Sequence, residues 1–507
     1  MSDLLAQVLD AGRRHGSAPA LTGPSGHTLT YADLLRQVAA TADRLRGKGF
    51  RSGDRMLFSV RPGPAAVVLA LGTVAAGGTV VFIDPGSGPE LFASRLDLTR
   101  PAWAAAESLL YAASAPGPGR ALARRRGVLL PDYSALPVRH VRSGPWLPGA
   151  PLRAVSAKAL AKPTARSSPD WPAAEDQDAV VVFTAGTTSD PKAVVHTRGS
   201  LGAALEVLAS RCSLAPGARV HTDQFLLGLP SLVAGAHWTM PRYGFSPTAD
   251  LSSVASGLST ATHTFLVPAD LATLLDAAER GDVAWPHSLR QVLLGAAPVL
   301  PPLLRRAQAA LPGVEFLAVY GMTEILPIAV TSAADKLSYQ GEGDLVGEPL
   351  PGVRARVAED GELVVSGPNM CRGYLGQPPL TEHATGDLAR IEDGGIVLIG
   401  RKKDMILRGK TNVYPGLYEP SIAALPGVEA AAMVGVPDEI GDERIVLALV
   451  GTRPGLAESV RAALPQLIDA AALPDEVVVV EGLPVSGRTR KLDRNALRAM
   501  VGRCGSR

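Results

Sequence analysis

The stretch AVVVFTAGTTSDPKAVVHT (residues 179–197) joins an apolar run to a short polar loop. The run AVVVF (179–183) is typical of a buried strand. The polar residues that follow it are Thr184, Gly186, Thr187, Thr188, Ser189 and Lys192. A phosphate is bound by a tight turn, by backbone N–H groups that face one way and by hydroxyl donors. The stretch therefore predicts a phosphate-binding loop directly after a strand, with a solvated threonine-rich turn as the alternative.

The loop differs from the P-loop of GTPases and many kinases, which has the form G-x-x-x-x-G-K-[ST]. Ser189 and Asp190 stand where a glycine would be expected, and Val194 follows Ala193. The sequence therefore argues against a P-loop kinase or GTPase.

Short apolar runs alternate with stretches rich in Ala and Leu through much of the first 400 residues. The runs are RMLFSV (55–60), TVVFI (79–83), AVVVF (179–183), THTFLV (262–267) and QVLLG (291–295). This pattern predicts an α/β fold with buried strands. The uncharged stretch 64–83 approaches membrane-spanning length, but Gly77-Gly78 divides it. We interpret it as a buried helix, a turn and a strand.

The pattern becomes β-rich after about residue 355. Residues 354–367 and 386–400 each predict a hairpin, with turns at Asp360-Gly361 and at EDGG. A cationic stretch, RKKD, precedes a smaller α+β unit, so we expect a large domain of several subdomains (1–402) and a small mobile domain (403–507). Residues 115–175 have weak periodicity and predict an irregular surface excursion.

Composition excludes several classes of protein. Hydrophobic residues make up 46% and charged residues 19%, which argues against disorder. A net charge of +2 does not indicate a basic surface for binding nucleic acid. No membrane-spanning segment is expected. Three distant cysteines without a C-x-x-C pair argue against a disulfide framework. No apolar leader follows the first residues, so a cytoplasmic protein is expected.

Six stretches in order resemble the adenylate-forming superfamily, which includes acyl-CoA synthetases, peptide-synthetase adenylation domains and beetle luciferases. TAGTTSDPK (184–192) is similar to its signature T-S-G-T-T-G-x-P-K-G, with departures at Ala185, Ser189 and Ala193. The others are VLLGAAPV (292–299), VYGMTE (319–324), TGDLARI (385–391), GRKKDMILRGKTNVYPGLYE (400–419) and LPVSGRTRKLDRNAL (483–497). FIDPGSGPELFASRL (82–96) also looks like an early strand and turn of the family, and the resemblance covers about 30–500.

The resemblance implies an enzyme that uses ATP and Mg²⁺ to activate a carboxylic acid as an acyl-adenylate, with release of pyrophosphate. It implies that Thr187, Thr188 and Lys192 hold the β- and γ-phosphates and that Thr184, Gly186 and Ser189 are further ATP-binding residues. Tyr320 and Gly321 would lie at the adenine, with Gly295, Ala296 and Ala297 as the opposite wall. Asp387 would accept the ribose hydroxyls, and Arg401 would contact the ribose or a phosphate.

The resemblance also assigns the catalytic groups. Glu324 would be the Mg²⁺ carboxylate and Thr323 a donor to the α-phosphate. Lys491 would bridge the substrate carboxylate and the α-phosphate, although Arg490 stands where the family has glycine. Lys403 falls on the hinge between the domains. The structural alternatives are a hairpin cap for Asp387, a core aromatic for Tyr320, a surface lysine for Lys491 and a first-turn helix acid for Glu324.

The acyl pocket is expected to be lined by apolar side chains, namely Phe225, Leu227, Leu229, His237, Ile325 and Leu326. An amino-acid substrate would need a buried carboxylate for its ammonium, and Asp223 is the only acid in 223–238. A fatty, hydroxy-fatty or aryl acid is therefore favoured.

The acceptor of the acyl group stays open between CoA, an acyl carrier protein and an internal hydroxyl. TEILPIAV (323–330) and residues 100–135 look somewhat like β-lactone synthetases of olefin pathways, whereas 400–415 resembles ordinary acyl-CoA ligases. We place the acid–thiol ligase first and the β-lactone synthetase second. A non-catalytic relative that binds nucleotide or a partner is the alternative of another class, and Glu324, Asp387 and Lys491 together argue against it.

Overall fold

The structure, a computed structural model, describes residues 3–86, 89–125, 130–164, 169–184, 192–241, 250–408, 411–437, 443–468, 472–486 and 491–502. Four residues of the predicted phosphate loop, Gly186, Thr187, Thr188 and Ser189, lie outside the described residues, as does the side chain of Leu227.

The helices are α1 (Leu4–Arg14), α2 (Tyr31–Gly47), α3 (Pro64–Ala75), α4 (Pro89–Thr99), α5 (Ser108–Ser114), α6 (Pro118–Arg125), α7 (Ala157–Leu160), α8 (Arg198–Arg211), α9 (Phe225–Val233), α10 (Leu251–Leu258), α11 (Pro268–Glu279), α12 (Pro301–Ala310), α13 (Ala333–Ser338), α14 (Pro415–Ala423), α15 (Leu456–Ala463) and α16 (Arg494–Gly502). Short 3-10 helices cover Tyr133–Ala135, Lys402–Asp404 and Leu464–Gln466. Local sequence sets several helix starts, since Thr30 and Thr197 form capping boxes at α2 and α8.

The strands are β1 (Pro19–Thr22), β2 (Thr28–Thr30), β3 (Arg55–Ser59), β4 (Thr79–Phe82), β5 (Trp103–Glu107), β6 (Arg139–Ser143), β7 (Val155–Ser156), β8 (Asp178–Phe183), β9 (Ala193–Thr197), β10 (Arg219–His221), β11 (His237–Thr239), β12 (His263–Leu266), β13 (Gln291–Leu294), β14 (Glu315–Met322), β15 (Ile325–Ser332), β16 (Asp344–Gly347), β17 (Arg354–Val357), β18 (Glu362–Ser366), β19 (Gly373–Tyr374), β20 (His383–Glu392), β21 (Gly395–Arg401), β22 (Ile406–Arg408), β23 (Thr411–Val413), β24 (Ala430–Pro437), β25 (Glu443–Val450), β26 (Glu476–Val479), β27 (Val485–Ser486) and β28 (Lys491–Leu492).

Two large sheets form the first part of the chain. Sheet I has the order β19-β9-β8-β4-β3-β5-β6-β7 and is parallel from β8 to β7. Sheet II has the order β15-β14-β13-β12-β10-β11-β1-β2 and is parallel from β14 to β1. Helices α1, α2, α3, α8 and α9 pack against both sheets in one buried cluster. The predicted α/β fold is confirmed.

Sheet III is antiparallel, with the order β16-β21-β20-β18-β17. Both predicted hairpins are present, since β17 pairs with β18 and β20 pairs with β21. Sheet III shares a hydrophobic cluster with α8 and with β14 and β15 of sheet II. The smaller α+β unit is built on β24-β25-β26 and has its own core. The 3-10 helix at Lys402–Asp404 leads into it, and a domain boundary after residue 402 stays a prediction.

Residues 115–175 are more regular than the sequence indicated. They supply β6 and β7, which extend sheet I at one edge, and Tyr133, which is fully buried. Val141 in β6 is flanked by arginines and a histidine, so the strand carries little apolar periodicity. The expectation of an irregular surface excursion was therefore wrong for this part of the stretch.

The stretch 64–83 forms α3, a turn and β4, as predicted. Among the described residues, no helix has the length and the apolar composition needed to cross a bilayer.

Candidate active site

The site lies where parallel strands of both large sheets end. Thr184 follows β8, Gly295 follows β13, and Thr323 and Glu324 follow β14. Carboxyl ends of parallel strands are the usual place for ligands in α/β proteins.

Thr184 and Lys192 flank the predicted phosphate loop. The Thr184 N–H donates to the Lys192 carbonyl at 3.3 Å, so the two ends of the loop are held together. The loop therefore connects the antiparallel strands β8 and β9. The Lys192 side chain is exposed, and its Nζ lies 5.3 Å from the centroid of the Tyr374 ring.

Thr323 and Glu324 form the two-residue turn of a hairpin, because Met322 of β14 pairs with Ile325 of β15. The interpretation of Glu324 as an acid in the first turn of a helix is therefore wrong. Glu324 is only 7% exposed. Its Oε1 accepts a hydrogen bond of 2.9 Å from the Tyr374 hydroxyl, and its backbone carbonyl accepts one of 2.7 Å from the Cys371 N–H.

His196 holds the same turn from the other side. Its Nε2 lies 2.7 Å from the Thr323 carbonyl, which can only accept, so Nε2 carries the proton. Nδ1 then accepts from the Ser200 hydroxyl at 3.3 Å. Burial lowers the pKa of His196, which keeps the imidazole neutral. His196 was not among the predicted site residues, although a histidine in an otherwise apolar buried strand is an available signal.

Asp387 is buried and both of its carboxylate oxygens are paired. The Tyr320 hydroxyl donates to Oδ2 at 2.7 Å, and Arg401 Nε lies 2.6 Å from Oδ1. Burial raises the pKa of Asp387, whereas Arg401, the Tyr320 hydrogen bond and Lys491 lower it. Burial and the Asp387 charge raise the pKa of Tyr320 well above its usual value, so Tyr320 stays a neutral donor. Asp387 lies inside β20 and does not cap the hairpin turn.

Gly295, Ala296 and Ala297 follow β13, as expected for one wall of a base site. A side chain on Gly295 would place its Cβ 3.2 Å from the Val319 carbonyl and 3.4 Å from the Phe265 ring. Ala296 has a φ of 67°, in the left-handed region that costs a residue with a Cβ about 1 kcal/mol or more. Strained backbone of this kind often occurs at functional sites.

Lys491 opens β28 of the small unit, and its charge interacts with those of Asp387 and Arg401 on sheet III. Desolvation by surrounding protein atoms lowers the pKa of its ammonium, and so do the charges of Arg401 and Lys403, whereas Asp387 raises it. The three residues lie far apart in sequence, and Asp387 and Arg401 pair directly at 2.6 Å.

Lys403 lies between two anchored residues. Lys402 Nζ is 2.6 Å from Asp360 and 2.9 Å from Glu362, both on the large unit. On the other side, Asp404 lies 3.4 Å from Arg494 of the small unit. This arrangement is compatible with a hinge at Lys403, which stays a prediction.

The predicted acyl-pocket residues fall into two groups. Phe225 and Leu229 pack in the cluster that contains Trp238, and His237 lies 2.7 Å from the Thr22 hydroxyl. Ile325 is fully buried beneath sheet III, and a Cβ on Gly321 would lie 2.6 Å from Leu326 Cδ1, so Leu326 covers that glycine.

A small cavity of about 20 Å³ lies beside Phe265, and none of the predicted acyl-pocket residues is among the described residues that line it. The described residues that line it are Leu208, Cys212, Leu214, Val220, Thr222, Pro230, His263, Thr264, Phe265 and Leu293. None of these described residues has a carboxylate or amine side chain. Phe265 connects it to Gly295, since the ring lines the cavity and faces the glycine.

The donors present fit a magnesium ion that is shared with a nucleotide. Mg²⁺ prefers oxygen ligands and is usually held by one or two carboxylates together with substrate phosphates. Glu324 offers such a carboxylate, and within the described ranges no hydrogen bond to its Oε2 is found. The described residues also contain no group of three or more His, Cys, Asp or Glu side chains that would cage a metal without a substrate.

The sequence profile described as "AMP-binding enzyme" matches residues 8–375, and the profile of the AMP-binding enzyme C-terminal domain matches residues 418–490. The chain belongs to the AMP-binding enzyme family. It is therefore an adenylate-forming ligase, a class that activates acids with ATP and Mg²⁺. The predicted resemblance is confirmed.

Relatives of this AMP-binding enzyme include CoA ligases. Feruloyl-CoA synthase from Amycolatopsis sp. is 29% identical over 91% of this chain and 92% of its own. A 2-succinylbenzoate–CoA ligase from Geobacillus sp. (strain WCH70) is 30% identical over 64% of this chain and 70% of its own.

Solved structures share the fold of the enzyme. The amide bond synthetase McbA from Marinactinospora thermotolerans is 24% identical, with a TM-score of 0.79 over 98% of this chain and 99% of its own. ATP-bound MatB from Rhodopseudomonas palustris is 23% identical, with a TM-score of 0.76 over 98% of each chain.

Proposed function

We propose that the enzyme converts an apolar carboxylic acid to its acyl-adenylate and then transfers the acyl group to a thiol, that of CoA or of a carrier protein. The observation that carries this proposal is the position of Lys491. The lysine belongs to the small unit, and its pKa responds to the charges of Asp387 and Arg401, which pair with each other at 2.6 Å on sheet III.

In the first step, a carboxylate oxygen of the acid attacks the α-phosphorus of ATP, and the bond from that phosphorus to the bridging oxygen of pyrophosphate breaks. The Lys491 ammonium neutralises the two anions as they meet, and the Thr323 hydroxyl donates to the α-phosphate. Asp387 accepts the ribose hydroxyls and Tyr320 stacks on the base. Glu324 would hold Mg²⁺, which would supply charge neutralisation for the phosphate oxygens.

The cavity supports an apolar acid. Its lining is mainly aliphatic, with two threonine hydroxyls, one histidine and the Phe265 ring beside Gly295. An α-ammonium would need a carboxylate partner, and Asp223 is not among the lining residues. A fatty, hydroxy-fatty or aryl tail matches this lining better than an amino acid does.

A thiol acceptor is supported by the CoA ligases among the relatives. The acyl carbonyl carbon would form a bond to the thiolate sulfur while its bond to AMP breaks. CoA is thus the first acceptor to examine.

The products from a panel of fatty, β-hydroxy-fatty and aryl acids test the proposal. Each acid is incubated with ATP and Mg²⁺, with and without CoA, and the products are weighed by mass spectrometry. We expect AMP together with a CoA thioester of at least one acid. A β-lactone formed without CoA would replace the ligase by the lactone synthetase, and no acid-dependent AMP would refute acid activation.

Variants of β13 test the assignment of the tail to the cavity. Leu293 lines the cavity, whereas Leu294, the next residue, packs in the cluster of α11 and α12. We expect Leu293→Ala to shift the preference toward bulkier acids and Leu294→Ala to leave it unchanged. The same profile for both variants would contradict the assignment.

A further inference from the structure

Tyr374 lies in a segment that connects sheet I to the Thr323-Glu324 turn. Met370 forms a β-bridge with Ile325, and the Cys371 N–H donates to the Glu324 carbonyl. Three residues later, Tyr374 pairs with Val194 of β9. The segment therefore spans the space between the glutamate turn and the strand that follows Lys192.

The Tyr374 side chain contacts both charged residues in different ways. Its hydroxyl donates 2.9 Å to Glu324 Oε1. The face of its ring receives Lys192 Nζ at 5.3 Å from the centroid. A carboxylate acceptor makes the hydrogen bond stronger than a neutral one, and the ring quadrupole attracts an ammonium. One tyrosine thus orients an anion and a cation at once.

The backbone of the segment is fixed without the hydroxyl. The Arg372 N–H donates to the Val195 carbonyl at 2.9 Å, and the Leu375 N–H donates to the Ala193 carbonyl at 2.8 Å. Loss of the hydroxyl would leave these bonds in place. The hydroxyl therefore serves to orient Glu324 more than to hold the fold.

We propose that Tyr374 is a positioning residue for the metal and phosphate site: it fixes Glu324 so that Oε2 faces the metal, and it holds Lys192 beside the same phosphates. The inference rests on the proposed function in its assignment of Glu324 to Mg²⁺. It adds a residue from outside the six stretches that carry the family resemblance. It also links the lysine of the phosphate loop to the glutamate of the turn.

Two substitutions separate the two contacts. Tyr374→Phe removes the hydroxyl and keeps the ring, and Tyr374→Leu removes both. Tyr339→Phe is the matched control, because the Tyr339 hydroxyl also donates to a carboxylate, Glu392 Oε2 at 2.8 Å, on sheet III. The dissociation constant of ATP is measured by calorimetry over a series of Mg²⁺ concentrations and in EDTA.

For Tyr374→Phe, we expect the Mg²⁺ concentration that gives half of the gain in ATP affinity to rise about tenfold. ATP affinity in EDTA should stay within about twofold of wild type, since the Lys192 contact remains. Tyr374→Leu should show the same Mg²⁺ shift and bind ATP about threefold more weakly in EDTA. Tyr339→Phe should behave as wild type.

An unchanged Mg²⁺ dependence of ATP binding in Tyr374→Phe overturns the inference. The inference is also overturned if the affinity of the wild-type protein for ATP does not change with Mg²⁺ concentration. A double-mutant cycle with Glu324→Gln gives a second measure: the Tyr374→Phe effect should vanish in the Glu324→Gln background, and additive effects contradict the coupling. These binding measurements do not depend on acid activation. A failure to activate any acid would refute the proposed function, but the role of Tyr374 in Mg²⁺-dependent ATP binding could still be tested.

Discussion

The hydroxyl of Tyr320 donates a 2.7 Å hydrogen bond to Oδ2 of Asp387. This bond joins the residue expected at the base to the residue expected at the ribose. Arg401 pairs with the other oxygen at 2.6 Å. A carboxylate has about four lone-pair positions, so ribose hydroxyls can share its oxygens with these partners.

Asp387→Ala should abolish discrimination between ATP and 2′-deoxy-ATP. A hydrogen bond from a hydroxyl to a carboxylate contributes about 1.5 kcal/mol or more, so wild type should prefer ATP at least about tenfold. The dissociation constants of both nucleotides give the ratio. Asp360→Ala, at an exposed carboxylate on a hairpin turn, serves as the control. Equal ratios in Asp387→Ala and wild type would remove Asp387 from the ribose.

Tyr320→Leu should weaken ATP binding about tenfold, because stacking of a base on an aromatic ring contributes about 1–3 kcal/mol. Tyr320→Phe keeps the ring and should stay within about threefold of wild type. ATP titration by calorimetry measures both. If the two variants lose the same affinity, the hydroxyl and not the ring is what matters at Tyr320.

His221 should make the protein less stable in acid. Burial lowers the pKa of His221 to about 4, from 6.5. The unfolded chain therefore binds more protons between these values, and the free energy of unfolding falls as pH falls from about 6.5 to about 4. The full effect of this group is roughly 3 kcal/mol.

His221→Asn removes the titrating group and keeps a polar atom toward Thr239. Urea unfolding at about pH 7 and about pH 4.5 should show a smaller loss of stability in the variant than in wild type. Losses of the same size would mean that His221 does not titrate as a buried group.

Ala296→Gly should be tolerated and should raise the free energy of unfolding by up to about 1 kcal/mol, because glycine adopts positive φ without the Cβ penalty. Ala297→Gly, at the neighbouring position, should instead destabilise by about 0.5–1 kcal/mol. Urea unfolding of both variants makes the comparison. If Ala296→Gly and Ala297→Gly lower the free energy of unfolding equally, the backbone strain at Ala296 does not affect stability.

The α/β fold could be predicted because its buried strands are recognisable in the sequence as short apolar runs. AVVVF and QVLLG are apolar runs bounded by turn residues, and each forms a strand of a large sheet. Strand order could not be predicted, since parallel neighbours such as β4 and β8 are separated by about a hundred residues. Strand β6, with its charged side chains, gave too weak a pattern.

Candidate site residues were proposed from sequence within the quoted stretches, and their assignment stays a prediction, but their hydrogen-bond partners could not be predicted. Tyr374 contacts the Thr323-Glu324 turn from β19, which pairs with β9, and His196 contacts the turn from β9 itself. That pairing depends on tertiary packing and leaves no spacing pattern. Equally, the hydrogen bond from Tyr320 to Asp387 crosses from sheet II to sheet III.

Acid-dependent exchange of labelled pyrophosphate into ATP tests the central claim most directly. Wild type should catalyse exchange with at least one apolar acid, and Lys491→Ala should lose at least about a hundredfold of that rate, because the cation that joins carboxylate and α-phosphate is gone. Lys158→Ala, an exposed lysine on α7, should exchange like wild type. No exchange with any acid in the panel, or full exchange by Lys491→Ala, would contradict the account.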